Sequence, residues 1–168
     1  MLKTAQIIVL HCQKHSDKAN ILHTYSQVEG RDNFILYRGR KRQGMEGGIP
    51  NLPLVILEVS YDDKKNREMK VIQSYNPVFI PRADDSQKQC VRMVLGEILY
   101  KTLRHPMADP TIYSFLVDTI KQIDTEPQAQ VLLRPFLHQF SQFLGYGGAW
   151  IEDWNELKSL DLLREMLD

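Results

Sequence analysis

Short apolar and β-branched runs separated by turn signals fill the chain up to about residue 80, and apolar residues recur with a helical period beyond it. The chain therefore reads as strands first and helices second. Residues 5–12 (AQIIVLHC), 20–27 (NILHTYSQ), 34–38 (FILYR), 54–61 (LVILEVSY) and 67–74 (REMKVIQS) are the predicted strands. In the fourth, Val55, Leu57, Val59 and Tyr61 share one face, because side chains alternate along an extended backbone. The polar stretch from Gln13 to Lys18 separates the first two strands. Gly30-Arg31-Asp32-Asn33 reads as a turn, residues 39–53 as a long Gly- and Pro-rich loop, and residues 62–66 as a charged hairpin tip. Five short strands with no helical pattern between them suggest a small antiparallel barrel or sandwich. Strand count alone does not separate an OB-type barrel from an SH3-like one.

The helical half starts near Asp84-Asp85-Ser86, which offers N-cap side chains. Residues 86–104 place Val91, Val94, Leu95, Ile98, Leu99 and Leu103 on one face, and His105-Pro106 ends the run. Asp109-Pro110 begins a second helix, with Ile112, Phe115, Leu116, Ile120 and Ile123 inward. Residues 128–144 form a third, with Val131, Leu132, Phe136, Leu137, Phe140 and Phe143 inward, a kink at Pro135 and a glycine stop at Gly145. Residues 150–167 predict a fourth, acidic helix with Trp150, Ile151, Trp154, Leu157, Leu160, Leu163 and Leu167 along one stripe. The expected fold class is α+β, with domains at residues 1–80 and 81–168.

Charge follows the same division. The chain of 168 residues has no net charge. Yet residues up to Ile80 carry 12 Lys+Arg against 8 Asp+Glu, and those from Pro81 onward carry 9 against 13. The positive surplus concentrates after Tyr37, where Arg38, Arg40, Lys41 and Arg42 occupy four of five positions, with Gly39 between them and Gly44, Gly47 and Gly48 following. Cations on a loop rich in glycine suit phosphate backbones, whose neutralisation releases counterions whatever the base sequence. Lys14, Lys18 and Arg31 are candidate secondary contacts. Tyr25, Phe34, Tyr37 and Tyr61 lie close in sequence and could stack on bases, although core burial explains such aromatics more simply. Of these, Tyr37, beside the cations, is taken as a candidate contact.

Other chemistry finds little support. A nucleophile elbow, a P-loop and a dinucleotide fingerprint are all missing, and nothing argues for an enzyme. Cys12 and Cys90 are too few for a closed zinc site and read as small buried side chains. His11 and His15 are four apart at a strand end, where that spacing does not converge on a metal. Asp62-Asp63 and Asp84-Asp85 read as a turn tip and a helix cap. No metal and no cofactor are expected. No apolar run is long enough to span a bilayer and the N-terminus lacks signal-peptide character, so no membrane association and a cytoplasmic location are expected.

Several stretches, in order, resemble the bacterial recombination-mediator family RecO. "IIVLHCQKHSDKANILHTYSQVEG" (residues 7–30) is similar to the family's opening two strands, and "LYRGRKRQG" stands where the family has a basic segment. "EILYKTLRHPMADPTIYSFLVDTIKQID" (residues 97–124) resembles its first two helices, and "FLGY" (residues 143–146) the end of its third. The resemblance implies a five-stranded OB-type barrel followed by an all-α domain. It also implies binding of single- and double-stranded DNA and annealing of complementary strands. The implied partners are RecR-like and RecA-like repair proteins and the C-terminal tail of single-strand-binding protein. The chain departs from the family pattern at His15-Ser16-Asp17-Lys18-Ala19 and in lacking the zinc-binding cysteines of many members. It also ends in the acidic helix where family chains continue, and so reads as a shortened relative. The alternative is an interaction protein that no longer handles DNA and docks to a repair partner.

Overall fold

The computed structural model describes residues 2–37, 53–62, 69–82, 84–104 and 108–146. Five strands, β1 (Leu2–Ser16), β2 (Ala19–Ser26), β3 (Gly30–Tyr37), β4 (Ile56–Asp62) and β5 (Lys70–Phe79), precede three helices, α1 (Ser86–Thr102), α2 (Pro110–Thr125) and α3 (Leu133–Phe143). The strands close into a barrel in the order β1-β2-β3-β5-β4, with β4 returning to β1. A plain meander would pair only successive strands. Here β3 skips to β5 in a short parallel pairing, Phe34 with Lys70 and Ile35 with Val71. That connection makes the barrel an OB-type Greek key rather than an SH3-like one.

One strand serves both halves of the sheet. β1 pairs with β2 along its second half and with β4 along its first. Register shifts between Val9 and His11 and between Lys14 and Ser16 bend it. Its run Ile7-Ile8-Val9-Leu10 is apolar at successive positions because both faces are covered. Ile7 and Val9 point into the barrel with Leu22, Phe34, Leu57, Val59, Tyr61 and Ile72. Ile8 and Leu10, with Tyr25, Leu54 and Ile56, instead pack against Leu95, Leu99, Leu116, Ile120, Ile123, Phe136 and Phe140 of the helices. Barrel and helices thus share a core.

Local sequence fixes how the helices sit. Asp85 and Asp109 are the N-caps of α1 and α2, and each carboxylate accepts two backbone N–H bonds from the first turn. The Asp109 N–H itself donates to the Tyr25 hydroxyl at 3.2 Å, and the Tyr113 hydroxyl donates to Gln6 Oε1 at 3.2 Å, so both ends of these contacts tie α2 to the barrel. Gly96 lets α1 approach: a Cβ there would stand 2.8 Å from Pro53 Cβ and 3.3 Å from the Leu10 carbonyl. Buried Arg92 pairs with Asp124 and donates to the Arg82 carbonyl at 2.7 Å, joining the segment after β5 to both helices. At the end of α3, Gly145 has a φ of 84°. The Tyr146 and Gly145 N–H groups reach back to the Ser141 and Gln142 carbonyls, a Schellman stop.

Some expectations from the sequence need correction. β1 does not stop at Cys12 but continues to Ser16. Its outer part has both faces exposed, so no alternation marks it. Arg31, Asp32 and Asn33 belong to β3 rather than to a turn. The third helix does not kink at Pro135. A 3-10 turn at Ala129–Leu132 comes first, and Pro135 falls in the first turn of α3, where its missing N–H costs nothing. That turn rotates Val131 outward, and Val94 lies on the exposed side of α1 beside Met93. Cys90 is exposed rather than buried, whereas Cys12 is half-buried and packs against the barrel core. Most of the tip at residues 62–66 and the helix expected over residues 150–167 lie outside the described residues.

Candidate nucleic-acid interface

The candidate basic residues divide by position. Arg38, Arg40, Lys41 and Arg42 lie outside the described residues, and Tyr37 is the last described residue before them. Tyr37, the last residue of β3, pairs in register with Ala19, the first of β2. Tyr37, the residue before the basic run, therefore stands beside the β1–β2 turn, with Lys18 in the turn and Lys14 near the end of β1. Both lysines are exposed. Lys14 Nζ lies 2.8 Å from Asp17 Oδ1, a pair in open solvent that leaves the tip with one uncompensated positive charge. Tyr37 is 49% exposed, whereas Tyr25, Phe34 and Tyr61 are fully buried and serve as core. Of the four aromatics, only Tyr37 remains available for stacking.

Arg31 does not join this group. It sits six residues back along β3, about 20 Å away at the rise of an extended strand. It pairs across the sheet with Tyr25, and its guanidinium carbon lies 4.8 Å from the centroid of the Tyr100 ring of α1. Burial holds its proton less tightly than an exposed arginine's, though the group stays a cation. Its Nη1 is buried with no hydrogen-bond partner among the described residues.

Around it is a cluster that sequence reasoning missed. His11 and His23 face each other across the β1–β2 pair with ring centroids 5.8 Å apart. The Tyr100 ring stacks on His11 at 4.7 Å and tilts against His23 at 5.0 Å. His23 Nδ1 is 2.7 Å from Asn33 Oδ1, and its Nε2 is 3.3 Å from Gln13 Oε1. Burial, foremost, lowers the proton affinity of His23. The hydrogen bond to Asn33 opposes that, and the positive fields of Arg31 and His11 add to it. One signal was legible: His11 and His23 are equally spaced about Asp17, the position at which a hairpin would fold. The arrival of Tyr100 depends on how α1 docks, which no local pattern encodes.

On the opposite face of the same end of β3 the electrostatics differ. Lys70 of β5 pairs with Glu29 and lies 2.5 Å from Asp32 Oδ2, while the Tyr61 hydroxyl donates to Glu29 Oε1 at 3.0 Å. The ammonium sits 5.1 Å from the Tyr61 ring centroid and 5.9 Å from that of Phe34. This group closes one mouth of the barrel and keeps its charges to itself. Among the described residues, no set of three His, Cys, Asp or Glu side chains is placed to hold a metal ion. No described helix is long and apolar enough to cross a membrane.

No protein-family model matches this chain. Individual relatives do. It is 30% identical to the DNA repair protein RecO of Porphyromonas gingivalis over an alignment of 168 residues, which covers 92% of this chain and 67% of that protein. It is 29% identical to the DNA repair protein RecO of Phocaeicola vulgatus, across 97% of this chain and 68% of the relative. Against the DNA repair protein RecO of Bacteroides fragilis the identity is 28% over 149 residues, and the chain spans 61% of that relative's length. The alignments run through barrel and helices alike, in agreement with the order of elements described above. On that sequence identity and coverage, the chain belongs to the RecO family of DNA repair proteins.

Proposed function

We propose that this chain binds single- and double-stranded DNA without base preference and anneals complementary strands. In this reading residues 1–80 hold the DNA. Residues 81–168 engage RecR-like and RecA-like repair proteins and the C-terminal tail of single-strand-binding protein, so that recombinase is loaded on coated DNA. No bond is made or broken by the protein itself. Arg38, Arg40, Lys41 and Arg42 contact phosphates, with Lys14 and Lys18 beside them, Tyr37 against a base, and Arg31 as a separate contact farther along β3.

The observation that carries this reading is the pairing of Tyr37 with Ala19, which sets the residue before the basic run beside the β1–β2 tip in a chain of this family. OB-type barrels commonly bind oligonucleotides on the β2–β3 face and the adjoining loops, so the proposed surface lies where the fold favours it. The charge excess of residues 1–80 over residues 81–168 supports the division of roles.

A titration of single-stranded oligothymidylate at two salt concentrations tests the proposal. Affinity that falls steeply with salt is expected, followed by faster annealing of complementary strands in the protein's presence. No binding at low salt would overturn it and leave the alternative, docking to a repair partner without DNA.

A further inference from the structure

We propose that His11 and His23, beside the phosphate contact of Arg31, form a site on the outer face of β1–β2–β3 that tightens DNA binding when the pair gains a proton. The inference rests on the DNA-binding reading above and adds to it a dependence on pH.

The argument starts from what surrounds each group. Every described neighbour that faces His23 is neutral or positive: His11 and Gln13 from β1, Arg31 and Asn33 from β3, and Tyr100 from α1. Among the described residues no carboxylate pairs with His11, His23 or Arg31. Lys70, of similar exposure and also beside aromatic rings, has two carboxylates. Arg31, whose Nη1 has no partner among the described residues, and the neighbouring His11 ring are donors lacking an acceptor, whereas His23 already faces two amide oxygens and contributes its charge. An anion supplies one, and the four side chains His11, His23, Arg31 and Tyr100 all remain partly open to solvent.

His23 is also set up to change state. Both ring nitrogens face amide oxygens, from Asn33 and Gln13. A doubly protonated ring satisfies that arrangement by donating to both. The neutral ring is satisfied when one amide turns to present its NH2. Neither state strands a polar atom, so the ring can gain a proton without rearranging the sheet. Without an anion, burial and the field of Arg31 resist that gain. A phosphodiester close by reverses the field, so proton uptake and DNA binding favour each other.

The test uses oligothymidylate, whose bases do not titrate near neutrality, and the full chain. Its affinity is measured at pH 7.5 and pH 5.5, each over a range of salt. Tighter binding by about tenfold at pH 5.5 is expected, the scale of one charge-assisted hydrogen bond. The slope of log K against log salt should steepen by roughly 0.7 for each added contact. The double variant His11→Gln/His23→Gln should bind as the wild type does at pH 7.5 and lose the gain at pH 5.5. The milder variant His11→Gln should lose part of it, which keeps the test valid if the double variant is unstable. Equal wild-type affinity and slope at the two pH values would overturn the inference, as would a pH response that survives in the double variant. Either result would leave the DNA-binding reading standing. Absence of binding at both pH values would overturn the two together.

Discussion

Lys70 and Arg31 are both half-buried cations beside aromatic rings, on neighbouring strands of one barrel, yet they are treated differently. Lys70 has Glu29, Asp32 and the face of Tyr61. Arg31 has the face of Tyr100, two histidines and, among the described residues, no acid. A buried charge is costly unless it is paired, so the paired lysine reads as a closure of the barrel mouth. The unpaired arginine reads as a charge kept for something outside the chain. The contrast teaches that exposure alone does not separate structural cations from binding ones; the neighbouring acids do.

The comparison breaks most visibly at Lys70. Lys70→Met keeps the aliphatic stem but leaves Glu29 and Asp32 facing each other without a counter-ion. Removing one partner of a buried pair costs about 3–5 kcal/mol, and partial exposure here reduces that to about 2–3 kcal/mol in urea unfolding at pH 7. Oligonucleotide affinity should not change. A loss of affinity with intact stability would make the two cations alike and sink the distinction.

Arg31→Met sharpens the same contrast from the other side. Loss of the contact with Tyr100 is offset by relief of an uncompensated buried charge, so stability should move by less than about 1 kcal/mol. The salt slope for single-stranded DNA should flatten by roughly 0.7, one phosphate contact. A large stability loss without any change in slope would show that Arg31, too, is structural.

The smallest effect concerns acid. His23 binds its proton less readily in the folded protein than in the unfolded chain. Below the ordinary histidine value of 6.5 the unfolded chain therefore holds more protons, and stability falls as pH drops through that region. His23→Gln should remove this part of the pH dependence in thermal melts between pH 7 and pH 5. An unchanged profile would show that His23 does not couple folding to protons.

What the sequence made legible follows from which faces are buried. Val55, Leu57, Val59 and Tyr61 alternate because β4 has one face in the barrel, and all four are buried. The caps at Asp85 and Asp109 were legible because an N-cap is a local contract between one side chain and the next two N–H groups. The outer arm of β1 was not, since Gln13, Lys14, His15 and Ser16 are exposed whichever way they point. Val94 and Val131 depart for the opposite reason: their helical spacing predicts them inward, but one lies on the open side of α1 and the other on a 3-10 turn. Of the site, the basic residues could be named from composition. The grouping of Tyr37 with the β1–β2 tip, and of Tyr100 with two histidines, needed the strand register and the docking of α1.

The central proposal is that DNA binds at the end of the barrel where β3 ends at Tyr37, through the basic run that follows in the sequence. Its most direct test is the salt dependence of oligothymidylate affinity for the wild type and for Arg40→Ala/Lys41→Ala/Arg42→Ala, at pH 7.5. Three phosphate contacts contribute roughly 2 units of slope on a single strand, so the variant's plot should be flatter by about that amount and its affinity lower at every salt concentration. Parallel plots of equal affinity would contradict the account.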